Sequence, residues 1–208
     1  MAKEARSFAV IGLGAFGSAV ATELARFGNQ VVGVDLDERR VAQMASTLSS
    51  AVILDTTDET ALKEAGIDQY DVALIAIGRD IQASILTTMN MKMLGIGTIW
   101  VKASNKTHHR ILSKLGADRV ILPEQEMGRH IAQMLNNPVV QDYVSLGNGF
   151  SVVTIVIPER LKGRPSQTIT PVPVGISHPM QIHRAALLGA SLLFLGLSVP
   201  AGPLSAQG

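Results

Sequence analysis

The chain has 208 residues with 47% hydrophobic and 17% charged side chains, a formal net charge of +1 and no cysteine. That length holds one substantial domain and a small appendage, and the composition lies well away from disorder. A near-zero net charge provides no field for nucleic acid or an anionic membrane surface, and the absent thiols exclude disulfides, thiolate catalysis and cysteine-ligated zinc.

The N-terminus carries Lys3, Glu4 and Arg6 and then passes directly into an apolar run, with no leader-like segment, so a cytoplasmic setting is expected. From there to residue 136 short β-branched runs alternate with longer helical stretches. The expected strands are 8–11, 31–35, 51–54, 72–77, 98–101 and 119–122, nearly continuous in apolar character as befits strands buried on two faces. The intervening helices are expected at 15–27, 37–46, 58–65, 81–94, 106–115 and 124–135. Gly28, Gly66, Gly95 and Gly116 each fall just past a helical stretch, where a left-handed residue ends a helix. Six strand-helix units in this order predict an α/β fold, a Rossmann-like doubly wound parallel sheet with helices on two faces.

Asn136-Asn137-Pro138 breaks the rhythm and sets a boundary, so residues 6–136 form the first domain. Residues 137–169 are read as a linker and the start of a C-terminal domain, with a short helix at 139–146 and a strand at 150–157. Residues 170–208 form an atypical tail whose uncharged run at 185–199 falls short of the about 20 residues that span a bilayer as a helix. A truncated or frame-shifted end is the expectation there.

The decisive motif is Gly12-Leu13-Gly14-Ala15-Phe16-Gly17, a GxGxxG between a strand and a helix. Gly12 permits the tight turn, Gly14 lets backbone approach a pyrophosphate and Gly17 lets helix lie close on strand. The first amides of the helix and the positive end of its dipole then face the phosphates. Asp35 ends the next strand 18 residues beyond Gly17, where a carboxylate can accept hydrogen bonds from ribose hydroxyls. Arg39 and Arg40 are read as a solvated helix face. Asp55 and Thr56, at the end of the third strand, either touch the adenine end or only shape the following turn. Ile75-Ala76-Ile77-Gly78 is a small-residue strand end that lets a nucleotide pass close to backbone, and Lys102 ends the fifth strand.

Several separated stretches together resemble the RCK (TrkA-N) domain of the bacterial Ktr and Trk potassium-uptake systems, in particular its KtrA type. They are 8–17, 76–88 (AIGRDIQASILTT), 99–103 (IWVKA), 108–119 (HHRILSKLGADR) and 123–132 (PEQEMGRHIA). The resemblance implies a cytosolic regulatory subunit, peripheral at the inner face of the membrane through a potassium-translocating partner. It implies dimers assembled into an octameric ring whose geometry responds to nucleotide. ATP and ADP are the implied ligands for the Ktr type and NAD or NADH for the Trk type. The glycine loop, including Ala15 and Phe16, carries over as the phosphate site, Asp35 as the ribose ligand and Lys102 as a charge near the phosphates. Glu124 carries over as a ligand for Mg2+ or Ca2+ beside the nucleotide, against the plainer reading of a first-turn carboxylate favoured by the dipole.

Two departures stand out. Ala15 occupies a position where KtrA-type members carry arginine, and only 39 residues follow the stretch 161–169 (LKGRPSQTI), too few for the family's C-terminal domain. The competing reading is a small NAD-dependent oxidoreductase, because the glycine loop and Asp35 are equally its fingerprint. Such an enzyme needs a substrate domain with a placed acid and base, and none is apparent after residue 137. A redox-sensing repressor would need a basic winged helix, and none is visible. His108 and His109 are adjacent and therefore point apart on a helix, which favours surface or interface roles over a shared metal. Ile81, Ile85 and Thr88 or Met89, with Leu86 and Met93 extending the face, are expected to divide between covering the sheet and making subunit contacts.

Overall fold

The computed structural model describes residues 6–136, 140–147, 150–155, 181–183 and 196–198. The chain divides into two compact units, Met1–Pro123 and Glu124–Gly208, a division that falls ahead of the boundary at residue 136.

In the first unit six strands form one sheet: β1 (Ser7–Ile11), β2 (Gln30–Asp35), β3 (Ser50–Ile53), β4 (Val72–Ile75), β5 (Thr98–Lys102) and β6 (Arg119–Ile121). Their order is β3-β2-β1-β4-β5-β6 and every pairing is parallel. This is the doubly wound arrangement, with its switch point between β1 and β4, where the carboxyl ends of the strands open a crevice. Ile11 is in register with Val34 on one side and Ile75 on the other, which brings the last residue of β1 to that crevice.

Strand residues alternate between two buried layers. Val10, Val31 and Leu74 pack with Ala21 of α1 (Ala15–Arg26) and Val41 of α2 (Glu38–Met44). Ile11, Val34, Ile75 and Val101 face the opposite layer with Leu62 of α3 (Glu59–Glu64), Met91 of α4 (Ile81–Met93) and Leu112 of α5 (Lys106–Lys114). Burying each such aliphatic side chain contributes about 1.5–3 kcal/mol, and truncating Ile75 to Ala costs about 2–5 kcal/mol because its pocket is closed on two sides.

The helix starts are specified locally. Asp37, Asp58, Asp80 and Asn105 each accept a backbone N–H from the first turn of α2, α3, α4 and α5. Gly28, Gly66, Gly95 and Gly116 all take positive φ past a helix end, between 67° and 93°. Helix α4 departs from expectation. Its buried face is largely polar, with Ser84, Thr87, Thr88 and Asn90 beside Met91, whereas Met89 and Met93 are 39% and 61% exposed. Small hydroxyl residues let the helix lie close: the Thr88 hydroxyl donates to the Ser84 carbonyl, and Thr87 and Asn90 meet the loop after β3, while the buried Ser84 hydroxyl has no hydrogen-bond partner among the described residues.

The second unit begins one residue into α6 (Pro123–Asn136), and in it β7 (Val140–Gly147) pairs antiparallel with β8 (Phe150–Ile155). The helix expected at 139–146 is thus a strand. The run VQDYVSLG is short and of mixed period, and its β-branched and aromatic residues together with the Gly147-Asn148-Gly149 turn signal outweigh a helical reading. The strand expected at 150–157 is present as β8. β9 (Gln181–His183) and β10 (Gly196–Ser198) form a second antiparallel pair. The rest of the tail lies outside the described residues. Among those described, no helix is long and apolar enough to cross a membrane.

Candidate nucleotide site

The carboxyl end of β1 turns directly into the glycine loop. Gly12 has φ +92°, and a Cβ there would lie 3.1 Å from the Ala76 carbonyl carbon and oxygen, so it is excluded both conformationally and by β4's continuation. A Cβ at Gly17 would run into the Gly12 carbonyl oxygen, which makes Gly17 the residue that lets α1 close against the loop. Gly14 differs from both. Its φ is −68°, open to any residue, and nothing lies within 4 Å of the position a Cβ would take. The protein has no steric use for glycine there, whereas a phosphate approaching the backbone does.

Helix α1 also differs from α2 to α5 in that Gly14 provides no side-chain cap, and, as in α4 and α5, its first turn contains no acidic residue. The leading N–H groups have no intrahelical acceptor, and the dipole there is positive, so an anion is the group this end accommodates. Ala15 is the exposed first residue of the helix. Phe16 turns back onto the Val10 layer and has the Lys102 ammonium 5.6 Å from its ring centroid. The same ammonium passes over Gly78, where a Cβ would stand 3.5 Å from Nζ. The structure therefore brings Lys102, from the end of β5, to the glycine loop.

Asp35 is held by a network that sequence reasoning did not anticipate. Its Oδ2 accepts the Leu13 N–H at 2.7 Å and the Arg40 guanidinium at 3.3 Å, and its Oδ1 accepts the Asp37 N–H at 2.9 Å. Its side chain is 10% exposed. Arg40 is accordingly not merely on a solvated face: its Nε also lies 3.6 Å from Asp37 Oδ2, because a residue one turn into α2 returns over the strand end.

Asp55 is exposed and its Oδ1 accepts both the Thr57 N–H and the Thr57 hydroxyl, which hold its carboxyl below the ordinary range. Thr56 is buried, its hydroxyl 2.8 Å from that of Thr87. Asn90 donates to the Thr56 and Thr57 carbonyls at 3.1 and 2.9 Å. The Thr56 side chain is thus turned toward α4 and the loop is clamped from the helix. Beyond β5, the Ser104 hydroxyl donates to the Gly78 carbonyl at 2.6 Å, and the Ser104 N–H donates to His108 Nδ1 at 3.2 Å. His108 is 1% exposed, so the surface or interface reading fails for it. Burial lowers its pKa, and α5 packs this histidine inward because Asn105 caps the helix over it.

Glu124 lies in the first turn of α6 with Glu126, in the second unit. Among the described residues no three His, Asp or Glu side chains cluster to hold a metal. A hard cation prefers six or more oxygens, so one at Glu124 requires oxygens from a nucleotide or another subunit.

The model of the TrkA-N domain matches residues 8–123, which take in all six strands of the first unit's sheet except Ser7 at the start of β1. This chain belongs to the TrkA-N family. Relatives reach well past that domain. The Ktr system potassium uptake protein A of Bacillus subtilis (strain 168) is 44% identical over 76% of this chain and 72% of its own length. The Ktr system potassium uptake protein C of the same organism is 46% identical over the same shares. Within the family, the chain is of the RCK/KtrA type. A solved structure, the GsuK bound to ADP, shares the fold with a TM-score of 0.55 at 12% identity, covering 66% of this chain and 36% of that one.

Proposed function

We propose that this TrkA-N protein is a nucleotide-sensing regulatory subunit of a potassium-uptake system, in which ligand at the glycine loop biases the opening of a membrane translocator. One observation carries the reading: Gly14 sits at an uncapped helix start, in an unstrained conformation, with open space before it. Gly12, Gly14 and Gly17 cradle the phosphates through backbone, Ala15 and Phe16 present their amides, and Asp35 holds the ribose. Asp55 and Thr56 border the adenine end, and Lys102 offsets phosphate charge. Adenine nucleotides, ATP and ADP, are the proposed ligands, with NAD or NADH as the alternative. The relatives named above are potassium-uptake proteins, and the GsuK structure is named with ADP. Neither relative is named as an oxidoreductase, which favours a sensor over a dehydrogenase.

The proposed assembly is a ring of dimers, an octamer, docked from the cytoplasm on its translocating partner. Ligand moves such a ring only through unequal affinity for its two geometries. In a concerted ring of eight sites, a threefold preference per site is about 0.65 kcal/mol and accumulates to about 5 kcal/mol, enough to take a 1:99 equilibrium close to 99:1. Modest differences at each loop therefore suffice.

The test is the nucleotide retained on purification together with the particle mass. Adenine nucleotide on an octamer supports the sensor, whereas a monomer that turns over NADH with a small carbonyl compound supports the enzyme. Mg2+ or Ca2+ is proposed to bind at Glu124 only together with nucleotide. Adding Mg2+ then raises ATP affinity in the wild type and not in Glu124→Gln, and an equal increment in the two proteins removes Glu124 from the site.

A further inference from the structure

The Asp35 carboxylate offers about four acceptor positions in all. Three are engaged within the chain: Oδ2 by the Leu13 N–H at 2.7 Å and by Arg40 Nη1 at 3.3 Å, and Oδ1 by the Asp37 N–H at 2.9 Å. The two amides belong to the loop and the strand end and cannot leave without moving backbone. A ribose diol presents two hydroxyl donors, and only one position remains.

We propose that Arg40 is a specificity-determining residue of the nucleotide site, occupying on Asp35 Oδ2 the place that a second ribose hydroxyl would take. The inference rests on the nucleotide reading above and adds to it a rule for how the sugar is read. Arg40 holds its position from an intermediate exposure, 42% for its side chain, through the longest of the three contacts and through Asp37 Oδ2 at 3.6 Å. The second carboxylate matters because it keeps the guanidinium near even when Asp35 is approached. With Arg40 in place the wild type holds the ribose by one hydroxyl on Asp35, and without it by two.

The experiment titrates ADP, 2′-deoxy-ADP and 3′-deoxy-ADP onto the full 208-residue chain and onto its Arg40→Met and Arg40→Gln variants, at one salt concentration without divalent cation. A hydroxyl hydrogen bond gained at a carboxylate corresponds to a change of at least about threefold in affinity. In both variants, the affinity lost on removing one of the two hydroxyls should grow at least about threefold over the wild type. Agreement of the two variants separates the freed acceptor from a local defect in α2. Growth below that for both analogues, or growth in only one variant, overturns the role of Arg40 while ADP binding by the wild type leaves the nucleotide reading standing. Absence of ADP binding by the wild type overturns both.

Discussion

The Leu13 amide donates to Asp35 Oδ2 at 2.7 Å, so the carboxylate proposed to hold the ribose also fixes the glycine loop of the phosphate site. Leu13 is 3% exposed, so its N–H depends on an acceptor within the chain. Ribose and phosphate ends of the site are thus mechanically joined before any ligand arrives.

Asp35→Ala should accordingly act twice. It strands the buried Leu13 N–H, which costs about 1–3 kcal/mol of folding stability, and it removes about 1.5–3 kcal/mol of nucleotide affinity. Urea denaturation and calorimetric titration read the two effects separately. Unchanged stability would mean the loop holds itself, and unchanged affinity would remove Asp35 from the ligand.

His108 predicts a pH dependence. Burial makes the folded chain take up a proton at His108 less readily than the unfolded chain, whose reference pKa is 6.5. The associated stability is complete above that value and is lost as pH falls below it toward the lowered folded pKa. Between pH 7.5 and 5.5 the wild type should therefore lose more of its urea midpoint than His108→Asn, whose Oδ1 stands near the place of Nδ1 and still accepts the Ser104 N–H. Equal losses would show that His108 is protonated in the fold.

Much of this was legible in the sequence. The six strands were marked by apolar runs, and the glycine loop and Asp35 by spacing. What escaped was set by contacts between backbone and side chain. Nothing in the identity of Leu13 says that its amide meets Asp35, because an amide is common to every residue but proline. Arg40 was indistinguishable from Arg39 until α2 was placed over the end of β2. The surface or interface reading fails at His108 because adjacent histidines give no sign of which one faces inward. β7 was misread because eight residues do not separate a period of 2 from one of 3.6 when Gln, Asp and Ser interrupt the apolar positions.

Ala15 bears on selectivity between nucleotides. Backbone amides at a helix start reach the inner phosphates, so a terminal phosphate needs a side-chain cation. Without arginine at Ala15, ATP and ADP should bind within about fivefold of each other, about 1 kcal/mol. Ala15 is exposed, so Ala15→Arg is accommodated without repacking and should strengthen ATP binding by about tenfold or more. ADP and NADH should be little changed. A wild-type preference for ATP of about fiftyfold, about 2.3 kcal/mol, would show that other groups, Lys102 foremost, read the terminal phosphate.

The central claim is that the glycine loop is shaped for a ligand and not only for a turn, and Gly14→Ala tests it most directly. The added methyl meets nothing within 4 Å and the backbone there, at φ −68°, accepts alanine without strain. Folding stability should stay within about 0.5 kcal/mol of the wild type. Gly17→Ala is the contrasting control, since its methyl collides with the Gly12 carbonyl and must destabilise the unit. If Gly14 is kept clear for phosphate, ADP affinity falls by about tenfold or more in Gly14→Ala, about 1.4 kcal/mol, while the urea midpoint holds. Unchanged ADP affinity in a stably folded Gly14→Ala protein would contradict the account.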